Sequence, residues 1–465
     1  MSAVTVVWFR RDLRVADLPT LALAAGRGDV VCLWVADPDI LGRRHHTSPA
    51  RVAFLRAGLL ALDKELRALG TSLVIRSGDP RRIVPQVARQ AGADLVTWTG
   101  EVSPLGTARD GAVAAALRAD GIDIRPMPPD LHVQPDELVG SSGRGYLVFT
   151  PFWRMWSQLP VAAHRPAPPA LTGPSLASDG IDVLPSDPSP LPAGPAAARQ
   201  AIVTFIASGA ADRYGEARDE LAHEGTSHLS AALRFGMCTT AQIGRALGLP
   251  DVLSAGRQAF WRQLCWREFY AHHMARTPQV ARAALRHDLR AIAWDNDPAQ
   301  IAAWRAGRTG YPLVDAAMRQ LADGGWVHNR ARMVAASFLV KDLLVDWRIG
   351  ETIFMQGLVD GDPANNNGGW QWVAGTGTDA APYFRVLNPV LQAKRFDPSG
   401  DYVRRFIPQL RDVPAKWIFE PWRMSAADQQ AAGCVIGRDY PAPIVDHGAA
   451  RVRAIARYEA ARRAA

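Results

Sequence analysis

The sequence has few cysteines and lacks the spacings through which cysteines usually act. Its four cysteines, Cys32, Cys238, Cys265 and Cys434, are scattered, with no CxxC pair and no metal-ligand spacing. This excludes a zinc ribbon and a disulfide scaffold, and reduced, buried thiols are expected of a cytosolic protein. The N-terminus shows no signal-peptide pattern, and no apolar run approaches the length of a membrane span. We therefore expect a soluble, cytoplasmic protein that does not bind a membrane.

Two further patterns are missing. No GxGxxG follows the first apolar run, which argues against a nicotinamide-binding Rossmann site. No internal repeat is evident, which excludes a solenoid. The chain is instead rich in positive charge and in tryptophan: its net charge is +8, and fifteen tryptophans outnumber eight tyrosines. The charge favours a polyanionic partner, nucleic acid before membrane, and the tryptophans favour an aromatic ligand. Genomic bias towards Arg and Ala, and a large helical core, remain alternative explanations.

Five continuous apolar runs alternate with helical segments in the first part of the chain. Each run is typical of a buried parallel strand. Between two of them, Ser48 is a candidate N-cap, Pro49 suits the first helical turn and Gly70 is a stop signal. This alternation predicts an α/β domain with a doubly wound, five-stranded parallel sheet. The runs are 4–9, 30–37, 73–78, 94–100 and 122–126.

The rest of the chain has a different composition. Residues 160–198 are rich in proline and small polar residues, cannot build a core, and are interpreted as an extended connector. From about residue 199 the pattern is helical, with alanine-rich amphipathic segments such as 334–347. The predicted organisation is an α/β domain at 1–130, a linker at 131–198 and a large all-α domain at 199–465.

Two motifs of the helical part carry chemistry. In "GTSHLSAALRFG" (225–236), Thr226, Ser227 and Ser230 precede or begin a helix and could bind a pyrophosphate there, although ordinary N-capping explains the same residues. In "FWRQLCWREFY" (260–270), one helical face carries Gln263, Trp266 and Tyr270 beside Arg262 and Arg267. Such a face suits stacking on a base with phosphate contacts alongside. A core helix with snorkelling arginines is the alternative.

Two later motifs complete the set. "GGWVHNRARMVAASF" (324–338) places Asn329 and Met333 on one helical face, and Arg330 and Arg332 are suited to phosphate or carboxylate. "DGDPANNNGGWQW" (360–372) supplies carboxylates and then two tryptophans after residues that favour loops. We interpret this stretch as a loop against a flat, redox-active aromatic group. A calcium site is disfavoured because the twelve-residue loop with its terminal Glu is missing, so no metal is expected.

Taken in order, these segments resemble the photolyase/cryptochrome family, specifically a microbial class I cyclobutane pyrimidine dimer photolyase with a deazaflavin-type antenna. The resemblance covers nearly the whole chain. It rests on "WFRRDLRVADLPTL" (8–21), "GTSHLS", "WREFY", "TGYPLVDAAMRQL", "HNRARM", "DGDPANNNGGWQW", "GTDAAPYFRVLNP" and "DYPAPIVDH" (439–447).

The resemblance implies a U-shaped FAD in the helical domain, active as FADH⁻. Excited by light, it would donate an electron to a flipped-out pyrimidine dimer in DNA, and the electron would return after the ring splits. Trp370, Trp347 and Trp294 would form an electron-hopping chain, with Trp370 nearest the flavin and Trp294 nearest the surface. Asn366 would face flavin N5. Arg332 and Asp360 would form an ion pair beside the ring.

Further positions carry over from the family as two sets. The residues implied to hold FAD are Tyr214, Thr226, Ser227, His228, Leu229, Ser230, Arg332, Asp360, Gly361, Asp362 and Asn366. The residues implied to contact the lesion or the DNA are Arg218, Gln263, Trp266, Arg267, Tyr270, Asn329, Arg330, Met333 and Trp372, with Trp266 and Trp372 lining the lesion cavity.

One position departs from the family pattern. The family commonly has a glutamate where this chain has Gln263, and that carboxyl is thought to hydrogen-bond the dimer. Glutamine keeps a donor N–H but cannot transfer a proton. We expect repair to survive, with an altered yield and little pH dependence near neutrality.

The N-terminal domain of this family usually carries an antenna chromophore. The segments "SPARVAFL" (48–55), "EVSPLGTARDGAVAAAL" (101–117) and "AALRFG" (231–236) are more similar to the 8-hydroxy-deazaflavin type than to the methenyltetrahydrofolate type. Arg51, Glu101 and Arg234 are the candidate antenna residues. Ordinary surface charges beside an unused pocket are the alternative.

Three other functions compete with dimer repair. A cryptochrome-like photoreceptor often carries a C-terminal extension, whereas this chain ends soon after its last family motif. A (6-4) photolyase would use a histidine pair, and Asn329 stands where the second histidine is expected. A plain DNA-binding module leaves the FAD constellation unexplained. The expected partner is damaged DNA, with no obligate protein partner, and a monomer is expected.

Overall fold

A computed structural model describes residues 3–42, 47–140, 145–223 and 225–464. The chain divides into two compact units. The first comprises Met1–Gly215, Ser227–Pro278 and Val359–Ala364, and the second comprises Glu216–Thr226, Gln279–Leu358 and Asn365–Ala465. The predicted domain boundaries at residues 130 and 198 remain a prediction, because this division groups the chain by contact rather than by sequence order.

A five-stranded parallel sheet forms the centre of the first unit, with strand order β3-β2-β1-β4-β5. The predicted doubly wound sheet is confirmed, since the order reverses at β1, which pairs with both β2 and β4. The central strands β1 and β2 are largely buried because their side chains are apolar on both faces, whereas Asp123 of the edge strand β5 is exposed. They are β1 (Ala3–Phe9), β2 (Gly28–Ala36), β3 (Leu73–Ser77), β4 (Leu95–Thr97) and β5 (Asp123–Ile124).

The helices that begin in the first unit often start at a proline. Ser48 caps α3 by accepting from the Arg51 N–H at 3.3 Å, and Pro49 occupies the first turn, as predicted. The helices are α1 (Pro19–Ala25), α2 (Pro38–Leu41), α3 (Pro49–Ala68), α4 (Pro80–Ala91), α5 (Pro104–Ala119), α6 (Phe149–Trp156), α7 (Pro195–Ala207), α8 (Ala210–Ala217), α9 (Ser230–Arg234), α10 (Thr240–Leu247) and α11 (Ala255–Arg276).

The proline-rich segment runs along the edge of the sheet. Its Asp179 N–H donates to the Ile75 carbonyl at 2.8 Å, and its Ser178 hydroxyl oxygen accepts from the Ile75 N–H at 2.9 Å. Because β3 is an edge strand, these bonds occupy backbone groups that could otherwise pair with another chain. The segment is held to the first unit by these hydrogen bonds. Its role as a connector stays a prediction.

The second unit is helical around one large apolar core. That core includes Leu313, Val334, Leu339 and Trp370. The helices are α12 (Pro298–Arg305), α13 (Pro312–Gly324), α14 (Asn329–Ser337), α15 (Trp347–Gly357), α16 (Pro363–Ala374), α17 (Pro389–Phe396), α18 (Asp401–Phe406), α19 (Ala426–Ala431) and α20 (His447–Arg463). Together with the sheet of the first unit, this confirms the predicted fold class.

Residues 334–347 are not one amphipathic helix, so that expectation is wrong. Helix α14 ends at Ser337 and is followed by a π-helical segment, Phe338–Asp342. Leu344 then adopts a left-handed φ of 50°, and Asp346 caps α15 by accepting from the Arg348 N–H. Every residue from 338 to 347 is buried, because core helices surround the segment and leave it no solvent face. Packing therefore overrides the local helical pattern.

A buried carboxylate, Glu268 of α11, joins several parts of the first unit. It is 0% exposed. It accepts from the His132 N–H at 2.7 Å, the Trp156 indole N–H at 2.8 Å and the Thr240 hydroxyl at 2.9 Å. A buried carboxylate is tolerated only when its oxygens are satisfied in this way. Glu268 therefore holds α6, α10 and the chain after β5 against α11.

We expect Glu268→Gln to lower the free energy of unfolding by about 1–3 kcal/mol, because the amide would place a donor against donors. Urea denaturation followed by circular dichroism measures this. The control is Glu216→Gln, at an exposed position, which should change stability by about 0.5 kcal/mol or less. Equal stability of the two variants would contradict the role of Glu268.

Candidate functional site

The stretch "NNNGGWQW" lies within a helix, α16, and is not a loop as the sequence predicted. Pro363 begins the helix. The Asn367 and Gln371 side-chain amides both donate to the Val280 carbonyl at 3.0 Å, and the Gln371 side-chain oxygen accepts from the Leu285 N–H at 3.0 Å. These tertiary hydrogen bonds offset the low helix propensity of asparagine and glycine.

Trp370 of α16 is enclosed by the core of the second unit. It is 3% exposed, and its ring stands edge-on to Phe354 at 5.0 Å and to Trp304 at 6.2 Å. The ring also lies directly over Gly350 of α15, where an added Cβ would come within 2.1 Å of it. Only glycine leaves room for the Trp370 ring at this position. The ring therefore packs directly against the backbone of α15.

The other two tryptophans of the predicted chain lie in the same unit. Trp347 begins α15 and is 2% exposed, whereas Trp294 is half-buried and packs against the same core. Trp294 also meets the Tyr458 ring edge-on at 6.1 Å. The inner two residues are thus shielded from water and the outer one is not, which suits the predicted direction towards the surface. Electron transfer among the three stays a prediction.

Asn366 precedes Trp370 by one helical turn. Its side-chain N–H donates to the Glu351 carbonyl at 3.0 Å, and the Glu351 carboxyl accepts from the Asn367 side chain at 3.2 Å. Burial raises the pKa of Glu351 to about 7. Because one amide hydrogen is used in this way, Asn366 can turn its carbonyl oxygen to a ring N–H donor. An oxygen acceptor at this position fits the predicted role of Asn366 facing N5 of a reduced flavin.

Residues 360–362 belong to the first unit and are held there by arginines. The Arg234 guanidinium donates to the Gly361 carbonyl at 2.9 Å, and Arg11 forms an ion pair with Asp362. Arg11 also donates to the Arg234 carbonyl at 3.1 Å, so the two arginines brace each other. The candidate flavin residues of this segment are therefore placed by contacts from elsewhere in the fold.

The three antenna candidates lie in the same network of charges. Burial lowers the pKa of Arg51 to about 10, although the nearby carboxylates of Asp360 and Asp362 oppose this shift. Burial also lowers the pKa of Arg234 to about 9, again against nearby carboxylates. Burial alone would raise the pKa of Glu101, but nearby arginines, foremost Arg10, lower it to about 2. The structure thus brings together the antenna candidates and the segment 360–362, which the sequence had assigned to different ligands.

The "GTSHLS" motif does not cap its helix in the ordinary way. Helix α9 begins at Ser230, its N-cap is Leu229, and no side-chain cap hydrogen bond forms. The Ser227 hydroxyl accepts from the Leu229 N–H at 3.4 Å, and His228 has a left-handed φ of 51°. The N-capping alternative is therefore wrong for α9, and the hydroxyls are consistent with, but do not test, phosphate binding.

The remaining FAD candidates occupy separate surroundings. Tyr214 is 9% exposed and meets the Phe260 ring edge-on at 5.1 Å. Thr226 is half-buried. The Arg332 guanidinium donates to the Val327 carbonyl at 2.7 Å. Its predicted ion pair with Asp360 stays a prediction.

The lesion-facing candidates of the first unit lie on α11, as the helical pattern predicts. The Trp266 and Tyr270 rings are 5.6 Å apart, and Arg267 donates to the Leu233 carbonyl at 3.2 Å. Gln263 is half-buried. Trp266 also stacks on Phe149 of α6 at 3.8 Å with an interplanar angle of 6°. Sequence analysis missed Phe149, although aromatic residues at 149, 152, 153 and 156 repeat with helical spacing.

Two of the DNA-facing candidates of the second unit lie side by side on one helix, as predicted. The Asn329 amide lies 3.6 Å from the Met333 sulfur, so both share one face of α14. Arg330 pairs with Asp219 at 2.9 Å and lies 4.3 Å from the Phe396 ring. Arg218 and Trp372 are half-buried. Contacts of these residues with DNA stay predictions.

A doubly wound parallel sheet and a helical unit with buried tryptophans define the class as a protein with an α/β part and an all-α part. Comparison with known proteins is specific. Residues 5–171 match the DNA photolyase family model, and residues 260–460 match that of the FAD binding domain of DNA photolyase. The chain belongs to the DNA photolyase family, so the resemblance to that family is confirmed. The class I subtype and the antenna type stay predictions.

Individual relatives agree along the whole length. The chain is 40% identical to the deoxyribodipyrimidine photo-lyase of Halobacterium salinarum, covering 98% of each protein. A class III photolyase structure from Agrobacterium tumefaciens matches with a TM-score of 0.93 and 38% identity, over 100% of this chain and 98% of that one. A Synechocystis cryptochrome matches with a TM-score of 0.89 and 27% identity, over 98% and 99%.

We expect Gly350→Ala to displace the Trp370 ring, since the added Cβ would overlap it. Overpacking of this kind costs about 1–3 kcal/mol. The near-ultraviolet circular dichroism of the tryptophans and the rate of flavin photoreduction should both change. The control is Gly324→Ala at the end of α13, where an added Cβ meets no atom within 4 Å. An unchanged spectrum and photoreduction rate in Gly350→Ala would contradict the close approach.

Proposed function

We propose that this protein uses light to split cyclobutane pyrimidine dimers in DNA, with FAD as its cofactor. The observation that carries the proposal is that α16 places the amide of Asn366 one turn from the buried ring of Trp370. Full-length similarity to a deoxyribodipyrimidine photo-lyase supports the same reaction. When bound in its reduced form, FAD supplies a light-excited electron that splits the dimer.

The chain's own residues bind and orient the cofactor. The side-chain oxygen of Asn366 would accept a hydrogen bond from a ring N–H of the flavin. Its side-chain N–H would keep its hydrogen bond to the Glu351 carbonyl. Asp360, Gly361 and Asp362 lie in a segment already braced by arginines, so that segment needs little rearrangement on binding. The hydroxyls around Ser227, which do not cap α9, hold the phosphates.

Trp294, Trp347 and Trp370 pass electrons inward to keep the cofactor reduced. The burial of Trp347 and Trp370 shields the inner electron-transfer steps from water. The partial exposure of Trp294 lets an external reductant donate an electron to the oxidised tryptophan. This role differs from repair itself. Trp370→Phe should therefore abolish photoreduction yet repair dimers after chemical reduction.

DNA binding depends on phosphate contacts and on extrusion of the lesion. A net charge of +8 favours the duplex, and affinity should fall with salt. Photolyases extrude their target base from the duplex, at a lower cost when it is already poorly stacked. Trp266 then offers an aromatic face for stacking. Arg218, Arg267, Asn329, Arg330, Tyr270, Met333 and Trp372 complete the proposed contacts.

A second chromophore in the first unit is part of the proposal. The three antenna candidates, Arg51, Glu101 and Arg234, share one buried charge network, which supports their assignment to a common site. An 8-hydroxy-deazaflavin is favoured over methenyltetrahydrofolate by the sequence motifs. Absorbance and mass spectrometry of the extracted chromophores distinguish the two.

We further propose a cytoplasmic monomer of the class I subtype that needs no protein partner. All four cysteines are buried and unpaired, as suits a reducing compartment. Along the described ranges, no helix combines the length and apolarity needed to cross a bilayer.

The decisive experiment irradiates the purified protein under reducing conditions with an oligonucleotide that contains one thymine dimer. Light-dependent restoration of thymines, absent in the dark, is expected. Flavin photoreduction without restoration would instead favour a photoreceptor, which the similarity to a cryptochrome structure keeps as the second candidate. A colourless protein without bound flavin would overturn both.

Gln263 makes a prediction about pH. Because its amide does not titrate, the repair yield per absorbed photon should stay nearly constant between about pH 6 and 9. In Gln263→Glu, the yield should depend on the protonation state of the new carboxyl and fall as pH rises through its pKa, since only the protonated form donates to the dimer. A steep profile in the wild type alone would contradict this.

A further inference from the structure

Helices α6 and α11 interdigitate through four side chains that alternate between them. In order these are Trp266 of α11, Phe149 of α6, Arg262 of α11 and Trp153 of α6. The Trp266 and Phe149 rings are 3.8 Å apart, and the Arg262 guanidinium carbon lies 5.2 Å from the Phe149 ring and 5.9 Å from the Trp153 ring. Each helix contributes two residues four positions apart, which share one face. We call this set the α6–α11 ladder.

Phe149 determines which face of Trp266 is available. The two rings are nearly parallel, with 6° between their planes, so Phe149 covers one face of the indole. Phe149 itself is 1% exposed and cannot move without opening the core. Phe269 stands edge-on to Trp266 at 5.5 Å, which limits rotation of the ring. The Tyr270 ring also lies 5.6 Å from the indole, tilted by 41°. Of the two faces of the indole, the one opposite Phe149 lacks that stacked contact.

We propose that Phe149 is a positioning residue for lesion recognition: it holds the Trp266 ring so that the face opposite Phe149 receives the extruded pyrimidine dimer. This rests on the proposed function and deepens it. An indole already fixed in its binding orientation loses less rotamer freedom when a base stacks on it. Phe149 therefore contributes to dimer affinity without touching DNA, and it contributes nothing to binding of undamaged duplex.

The test measures dark binding of the full-length protein to two duplexes, one with a single thymine dimer and one undamaged, by fluorescence anisotropy. The ratio of the two dissociation constants is the dimer preference. Phe149→Leu should reduce this preference about 5- to 10-fold while binding to the undamaged duplex stays the same. Phe149→Tyr keeps the stacked ring and should restore the preference to near the wild-type value.

The matched control is Phe152→Leu on the same helix. Phe152 is equally buried, at 1% exposure, but its ring contacts are with Tyr146, Phe269 and His272. Both leucine variants remove one buried ring from α6, so both should lose similar stability. Only Phe149→Leu should lose dimer preference. Trp266→Ala should lose more of it, and adding Phe149→Leu to Trp266→Ala should cause no further loss.

The outcomes separate the two levels of inference. If Phe149→Leu keeps the same dimer preference as Phe152→Leu while Trp266→Ala loses it, the positioning role is overturned and the proposed function stands. If Phe149→Tyr fails to restore the preference, stacking is not the cause and the positioning role is again overturned. If the wild type shows no preference for the dimer and no repair in light, the proposed function itself fails.

Discussion

Helix α16 has two adjacent ridges of side chains with different roles. One ridge fixes the helix in place through hydrogen bonds, and the other carries candidate site residues. Asn367 and Gln371, four residues apart, hydrogen-bond the Val280 carbonyl from one ridge. Asn366 and Trp370, also four apart, form the neighbouring ridge, which carries two of the candidate site residues. Because the first ridge is fixed by buried amide bonds, the second cannot rotate or slide. The close contact of Trp370 with Gly350 depends on that restraint.

In the first unit, charged side chains hold candidate site residues in place. The segment 360–362 is braced by Arg11 and Arg234, and buried Arg51 lies within electrostatic reach of its carboxylates. Antenna candidates and flavin candidates thus share partners. Under the proposed function, a chromophore that binds near Arg51 and Arg234 would also alter the electrostatic surroundings of Asp360 and Asp362. The α6–α11 ladder gives the proposed lesion-contacting residue Trp266 a similar support, made mainly of aromatic rings instead of ion pairs.

Local sequence patterns predicted much of the fold because the relevant signals were local. Continuous apolar runs defined all five strands, and Ser48 with Pro49 marked the start of α3, since a cap and a first-turn proline act within a few residues. The helix containing Gln263, Trp266 and Tyr270 followed from its periodicity. The three tryptophans proposed for electron transfer did not follow from periodicity. They came from family motifs, because residues 294, 347 and 370 share no local pattern.

By itself, therefore, the sequence determined the five strands, the helical character of the second part of the chain, the family and the set of candidate residues. Tertiary structure alone decided that 363–374 is helical, that 338–347 is wholly buried, and that Phe149 covers one face of Trp266. It also decided that Arg51 and Arg234 share the neighbourhood of residues 360–362. The physical reason is the same throughout. These features depend on contacts between residues far apart in the chain, and the free energy of such contacts outweighs local propensity without leaving a signal in any short window of sequence.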